Sequence, residues 1–174
     1  MGLRKPLPTS KKQCMTIKAT ALTLATATEL LPGAVFTNNG HWYLRADFDD
    51  RANVAPVAIP LSKGAELRWL TYEKCLALAA GYRHELRIIG PIKGPGRPDH
   101  TCLVWSNDGS LAVAIDYSNN DYIVFPTGVV MEDSNVRDGR FFAPHWGVWV
   151  IDAAGTQVGD APLFIVNGEQ HERS

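Results

Sequence analysis

The sequence predicts a mainly β protein, built of small barrel or sandwich units with one short helix. Three observations carry this. About eight to ten short apolar runs, rich in β-branched and aromatic residues, are bounded by Gly, Pro, Asn and Asp. Two of the separators, Asn38-Asn39-Gly40 and Asn107-Asp108-Gly109, stand between apolar runs, where residues that tolerate positive φ make tight hairpins. Only one stretch, near 71–80, carries the marks of a helix.

Residues 1–14, MGLRKPLPTSKKQC, hold four basic side chains, no acid and two prolines, and read as a flexible basic tail. Residues 16–31 are ambiguous, since Thr-rich alternation suits a strand and Ala and Leu suit a helix. After Pro32-Gly33, strands are expected over 34–37 and 41–48, joined by the Asn-Gly turn. Residues 54–61 are extended, with Pro56 and Pro60 arguing for an edge strand or a bulge. The helix expected over 71–80 has Thr71 as its cap, Glu73 in its first turn, Cys75, Leu76 and Leu78 on an apolar side, and Gly81 as its stop. A strand follows over 82–89, and residues 90–98, GPIKGPGRP, form a Gly/Pro loop. Strands are then expected over 101–106, 110–117 and 121–125, with Val129 and Val130 continuing the sheet and a polar loop from Met131. Residues 146–151, WGVWVI, make a strong strand, 162–166 close the fold, and 168–174 read as a disordered tail. The chain thus divides into a first β unit over 15–89, the 90–98 loop, and a second β unit over 99–167.

The two hairpins share more than a turn. VFTNNG and VWSNDG match at every position by residue class, and seven residues after each Gly stands an Asp, Asp47 or Asp116, followed by an aromatic. Slightly later VAIP faces IVFP. Turn chemistry explains the turns but not the matched Asp, so an internal duplication is expected alongside the simpler reading of convergent turns. Charge separates the halves. Residues 15–97 hold ten basic and seven acidic side chains, and residues 98–174 hold three basic and eleven acidic. Such a split directs encounters with partners rather than the fold.

The segment ELLPGAVFTNNGHWYLRAD with the later VAIPLSKG, residues 29–64, resembles the small SH3-like barrel proteins of tailed phages. The resemblance implies an accessory protein that works by binding. It brings no catalytic residues, and Pro60 departs from the pattern of its last segment.

Chemistry is sparse. The three cysteines have no paired spacing, which argues for a reducing compartment and a cytoplasmic protein, host cytoplasm if phage-encoded. No C-x-x-C, H-x-x-x-H, Walker loop or G-x-S-x-G is present, and neither a metal nor a cofactor is expected. His100, Cys102 and His145 are the best candidates for a dispersed hydrolase or transferase site. No apolar run is long enough for a membrane helix. The basic tail could meet nucleic acid, but the acidic half opposes it. In HWGVWV, alternation puts Trp146 and Trp149 on opposite faces, so one of them points away from the core. The function expected is non-enzymatic protein binding, as by an inhibitor of a host machine, through an acidic and aromatic surface of Trp146, Trp149, Asp116, Asp121, Glu132 and Asp133. The alternative is a carbohydrate-binding or virion structural module.

Overall fold

The computed structural model describes residues 19–49, 54–61, 67–96, 98, 101–106, 108–117, 120–132 and 140–167. The expectations for 1–14, 168–174, His100 and Asp133 lie outside these residues. The fold is mainly β, with fifteen strands and two 3-10 turns among the described residues.

The first seven strands are β1 (Leu22–Thr26), β2 (Val35–Asn38), β3 (His41–Asp49), β4 (Val54–Pro60), β5 (Arg68–Trp69), β6 (Lys74–Leu78) and β7 (Arg83–Ile88). The next seven are β8 (Lys93–Gly96), β9 (Leu103–Trp105), β10 (Leu111–Tyr117), β11 (Asn120–Val124), β12 (Val130–Glu132), β13 (Arg140–Ala143) and β14 (His145–Ile151), and β15 (Phe164–Asn167) follows. One six-stranded sheet runs β1-β6-β2-β3-β4-β5 and another runs β8-β13-β9-β10-β11-β12. Both orders read first, sixth, second, third, fourth, fifth. The seventh strand of each set leaves its sheet, and β7 and β14 pair antiparallel with each other, with β15 on the far side of β14. Equivalent strands pairing antiparallel is the arrangement an approximate twofold axis produces.

The repeat is therefore one of strand order over seven strands, and the matched letters are not its register. Asn39 and Gly40 are the two left-handed residues of a two-residue turn, since Asn38 pairs with His41. VWSNDG closes differently: Gly109 N–H bonds to Ser106 O, Ser106 N–H to Ser110 O, and Trp105 pairs with Leu111, giving a three-residue loop. The extra residue turns β9 over relative to the lettering. Val35 faces the central core, but its letter-match Val104 faces an outer cluster, and Leu103 takes the core position opposite Val113.

The helix expected over 71–80 is strand β6. Its burial alternates, with Cys75 and Ala77 sunk and Leu76 43% exposed, which is a period of two. Five residues pair with β1 and two with β2, and that pairing outweighs the helical preference of KCLAL. Gly81, expected as a helix stop, instead serves a turn at φ 86°. Residues 90–98 contain an edge strand, β8, and β13 lies in a stretch where no strand was expected. Pro56 and Pro60 sit in β4, which pairs on both sides. Leu61 N–H bonds to Trp42 O, so the Tyr43–Pro60 and Asp47–Pro56 pairs are of the kind whose nitrogens point away from β3. They point to the β5 side, where β5 pairs only with Val57 and Ala58.

The central core lies among all three sheets. Leu44, Phe48, Val57 and Ile59 come from the first, Leu103, Val113, Ile115 and Val124 from the second, and Trp146, Val148, Val150, Phe164 and Val166 from the third. A second tie is made by backbone alone. The turn at Gly128, between β11 and β12, sits on the turn at Gly33, before β2. A Cβ on Gly128 would lie 2.3 Å from Gly33 N and 2.7 Å from Arg45 O, and both glycines have positive φ. Asp47 N–H donates to Gly128 O at 3.2 Å beside a parallel bridge from Asp47 to Val129. Gly128→Ala is expected to cost at least about 3 kcal/mol, from left-handed strain plus a displaced backbone contact. Gly40→Ala, with the same φ but open space around it, should cost about 1 kcal/mol. Urea denaturation of both variants measures the difference.

His84 points from β7 toward the core, opposite Val150, with Nε2 buried and without a hydrogen-bond partner. Burial lowers its pKa from 6.5 to about 4. The unfolded chain therefore takes up this proton first as pH falls. The contribution to stability is complete above pH 6.5, is lost between 6.5 and 4, and changes no further below. It amounts to about 3 kcal/mol. His84→Leu should remove this component from a plot of urea midpoint against pH.

Candidate binding surface

The outer face of the three-stranded sheet brings charged and aromatic residues together. β7, RHELRI, turns His84, Leu86 and Ile88 inward, which leaves Arg83, Glu85 and Arg87 outside. β14 turns Trp146, Val148 and Val150 inward and leaves Gly147, Trp149 and Ile151 on the other face. Pairing sets Trp149 opposite Glu85, and Gly147 opposite both Arg87 and Ile165.

Gly147 determines how Trp149 lies. A Cβ there would be 2.7 Å from Trp149 Cζ3 and 3.0 Å from Ile89 Cδ1, so the indole occupies the space a side chain would take. Arg87 covers the ring, its guanidinium carbon 5.1 Å from the centroid. Arg87 is itself held. Nε and Nη2 donate to the two Glu85 carboxylate oxygens at 3.0 and 3.2 Å, and Nη1 donates to Gln157 Oε1 at 2.6 Å. The hydrogen bonds from Arg87 hold the Glu85 carboxyl below its usual range, and Glu85 raises Arg87 in turn. Ile89 and Ile165, 49% and 51% exposed, flank this group. The result is a preorganised group of one half-buried indole, one fork-held guanidinium and two exposed isoleucines.

The other residues singled out from the sequence are dispersed. Trp146 is wholly buried and its indole N–H donates to Thr101 O at 2.7 Å, so it is a core residue with no surface to offer a partner. Asp116 is exposed on β10 and stands opposite Asp121 on β11 in the strand register. Glu132 lies opposite Tyr122, which packs on the central core. Asp116 shares the face of Ala112 and Ala114, which pack in the outer cluster. Glu132 and Asp116 thus point from opposite faces of one sheet and form no single acidic patch. Cys102 is buried in the outer cluster, whereas His145 is half-buried with Nδ1 3.3 Å from Asn167 Oδ1. Cys75 is core as expected, and burial together with Glu73 pushes its thiol up.

Among the described residues no three His, Cys, Asp or Glu side chains cluster to hold a metal, and no helix is long and apolar enough to cross a membrane. An open depression of about 530 Å³ lies at the end of the same sheet, lined by Tyr82, Arg83 and Asp152. The Asp152 carboxylate is engaged there by its own loop, accepting from Ala154 N–H at 2.9 Å and Thr156 N–H at 2.8 Å. No protein-family model, curated protein or solved structure matches this chain.

Gly147→Ala should displace the indole and break the Arg87 contact while leaving the core intact. The expected signature is a changed near-ultraviolet circular dichroism band with an unchanged far-ultraviolet spectrum.

Proposed function

We propose that this is a non-enzymatic β protein that binds another protein through the outer face of its three-stranded sheet. The carrying observation is the Trp149 indole lying over Gly147 and under Arg87, beside exposed Ile89 and Ile165. Trp and Arg dominate the energetics of protein interfaces, because each removes a large area from water and still has polar groups to satisfy. A side chain held before contact loses little freedom on binding, and Arg87 is held at three points. Binding is also what the resemblance to tailed-phage accessory proteins implies.

The geometry favours a protein over a sugar. A sugar ring stacks on a bare indole face, and here Arg87 already lies on it, fixed by Glu85 and Gln157. It also favours this face over the acidic one, because Asp116 and Glu132 diverge.

Affinity capture from a bacterial lysate tests the proposal. Wild type should retain a stoichiometric partner, and Trp149→Ala and Ile165→Asp should each weaken retention at least tenfold, roughly the loss of one hot spot. Glu132→Lys should leave it unchanged. A partner lost with Glu132→Lys and kept with Trp149→Ala would move the interface to the second sheet, and glycan binding abolished by Trp149→Ala would replace the protein by a sugar.

A further inference from the structure

We infer that a second copy of this chain pairs with the free edge of β1, joining the two first sheets into one continuous antiparallel sheet.

The edge itself is the first observation. β1 ends the first sheet and pairs only with β6, so its outer row of backbone N–H and C=O groups has no strand beside it among the described residues. Such edges in soluble proteins are ordinarily blunted by charge, proline or shortness. β5, β7, β8 and β12 each carry a charged residue, and β5 is two residues long. β15 is four residues long, with Phe164 and Val166 sunk in the core. β1, Leu22-Thr23-Leu24-Ala25-Thr26, carries no charged residue and no proline of its own. The only ammonium that reaches it among the described contacts is Lys74 Nζ, which donates to Thr26 Oγ1 at its last residue at 2.8 Å and leaves Leu22 to Ala25 unguarded.

The repeat supplies a control within the same molecule. β8 occupies in the second sheet the place β1 occupies in the first, and its sequence is Lys-Gly-Pro-Gly. Pro95 has no N–H to give, and Lys93 would have to be desolvated by an added strand. One of two equivalent edges is thus closed to strand addition and the other is open.

The side chains favour a copy of the chain over another strand. Leu24 stands opposite Leu76, and the two are 68% and 43% exposed. They are on the face that carries Leu78, Val35 and Leu44 inward, so they continue the core-facing surface past its cover. An antiparallel pair centred on Leu24 sets Leu24 against its symmetry mate, with Leu76 of each copy next in the row. It also sets Thr23 against Ala25 and Leu22 against Thr26. No charge meets a like charge in this register, and four leucines leave water together. β1 and Trp149 are in different sheets, so this pairing is independent of the surface proposed above.

Sedimentation equilibrium of the full chain over a hundredfold concentration range tests the inference, with hydrogen exchange of the β1 amides. The expected result is a mass rising from 19.1 kDa toward twice that value, with β1 protection rising in step. Leu24→Lys, at an exposed position, should weaken dimerisation at least tenfold with an unchanged far-ultraviolet spectrum. Phe141→Lys, a control at an exposed position of the second sheet, should leave it unchanged. A monomer at every concentration overturns the inference; β1 amides protected in that monomer would assign the edge to another segment of the same chain. A dimer indifferent to Leu24→Lys overturns it as well.

Discussion

The pairing of β7 with β14 is the contact on which the rest of the molecule depends. Each six-stranded sheet presents an inner face of Val, Leu and Ile that a single sheet cannot cover, because the face must be buried against another layer. The seventh strand of each set supplies the cover only by leaving its own sheet. Six residue pairs, from Trp146–Ile88 to Ile151–Arg83, then hold the two covers together as one ribbon. Trp146, Val148 and Val150 on its inner side complete a core to which both sheets contribute. The Gly33–Gly128 contact fixes the sheets against each other at another place, by approach so close that neither position admits a side chain.

Much of this could be seen in the sequence, and the parts that could not share a physical cause. Alternation and turn residues located β2, β3, β4, β7, β10, β11 and β14 within a residue or two, because those signals are local. In β6, KCLAL is too short for its period of two to show in the sequence, and Ala, Leu and Lys prefer helices when no strand is beside them. β8 and β13 escaped for the opposite reason: Lys-Gly-Pro-Gly and Arg-Phe-Phe-Ala have little alternation, and each is a strand because of its neighbour. The matching letters of VFTNNG and VWSNDG fall within a repeat of strand order, but their alignment is not its register. One extra loop residue reverses which side chains face the core, so strand order persists where residue identity at each position does not.

The candidate surface was half legible. Alternation alone shows that Trp149 and Trp146 part company, and the structure turns Trp146 into the core and leaves Trp149, half-buried, on the outer face. Arg87 and Glu85 give no signal in the sequence, since they meet Trp149 only through pairing between strands some sixty residues apart, and Gln157 joins them only through Arg87, seventy residues away. The acidic residues Asp116 to Glu132 are close in sequence and alike in charge. A sheet separates such neighbours whenever their spacing or register is odd, as it separates Asp116 from Glu132.

The two seven-strand sets share an order but differ in sequence, and that difference accounts for where the surface lies. Were the repeat exact, the central ribbon would be either two strands like RHELRI or two like HWGVWV. The first would put no aromatic ring on the outer face, and the second would leave two indoles with no guanidinium to cover them. Charge sits on β7 and the aromatic ring on β14, so each strand supplies what the other lacks. The guanidinium gains a ring to lie on, and the ring gains an anchor that Glu85 and Gln157 hold in place. Gly147 completes the arrangement, because only its missing side chain lets the indole lie across the sheet toward Arg87. A mixed surface of this kind is formed only at the junction of two unlike copies. The same difference that makes the pair asymmetric therefore brings charge and aromatic ring together at the junction.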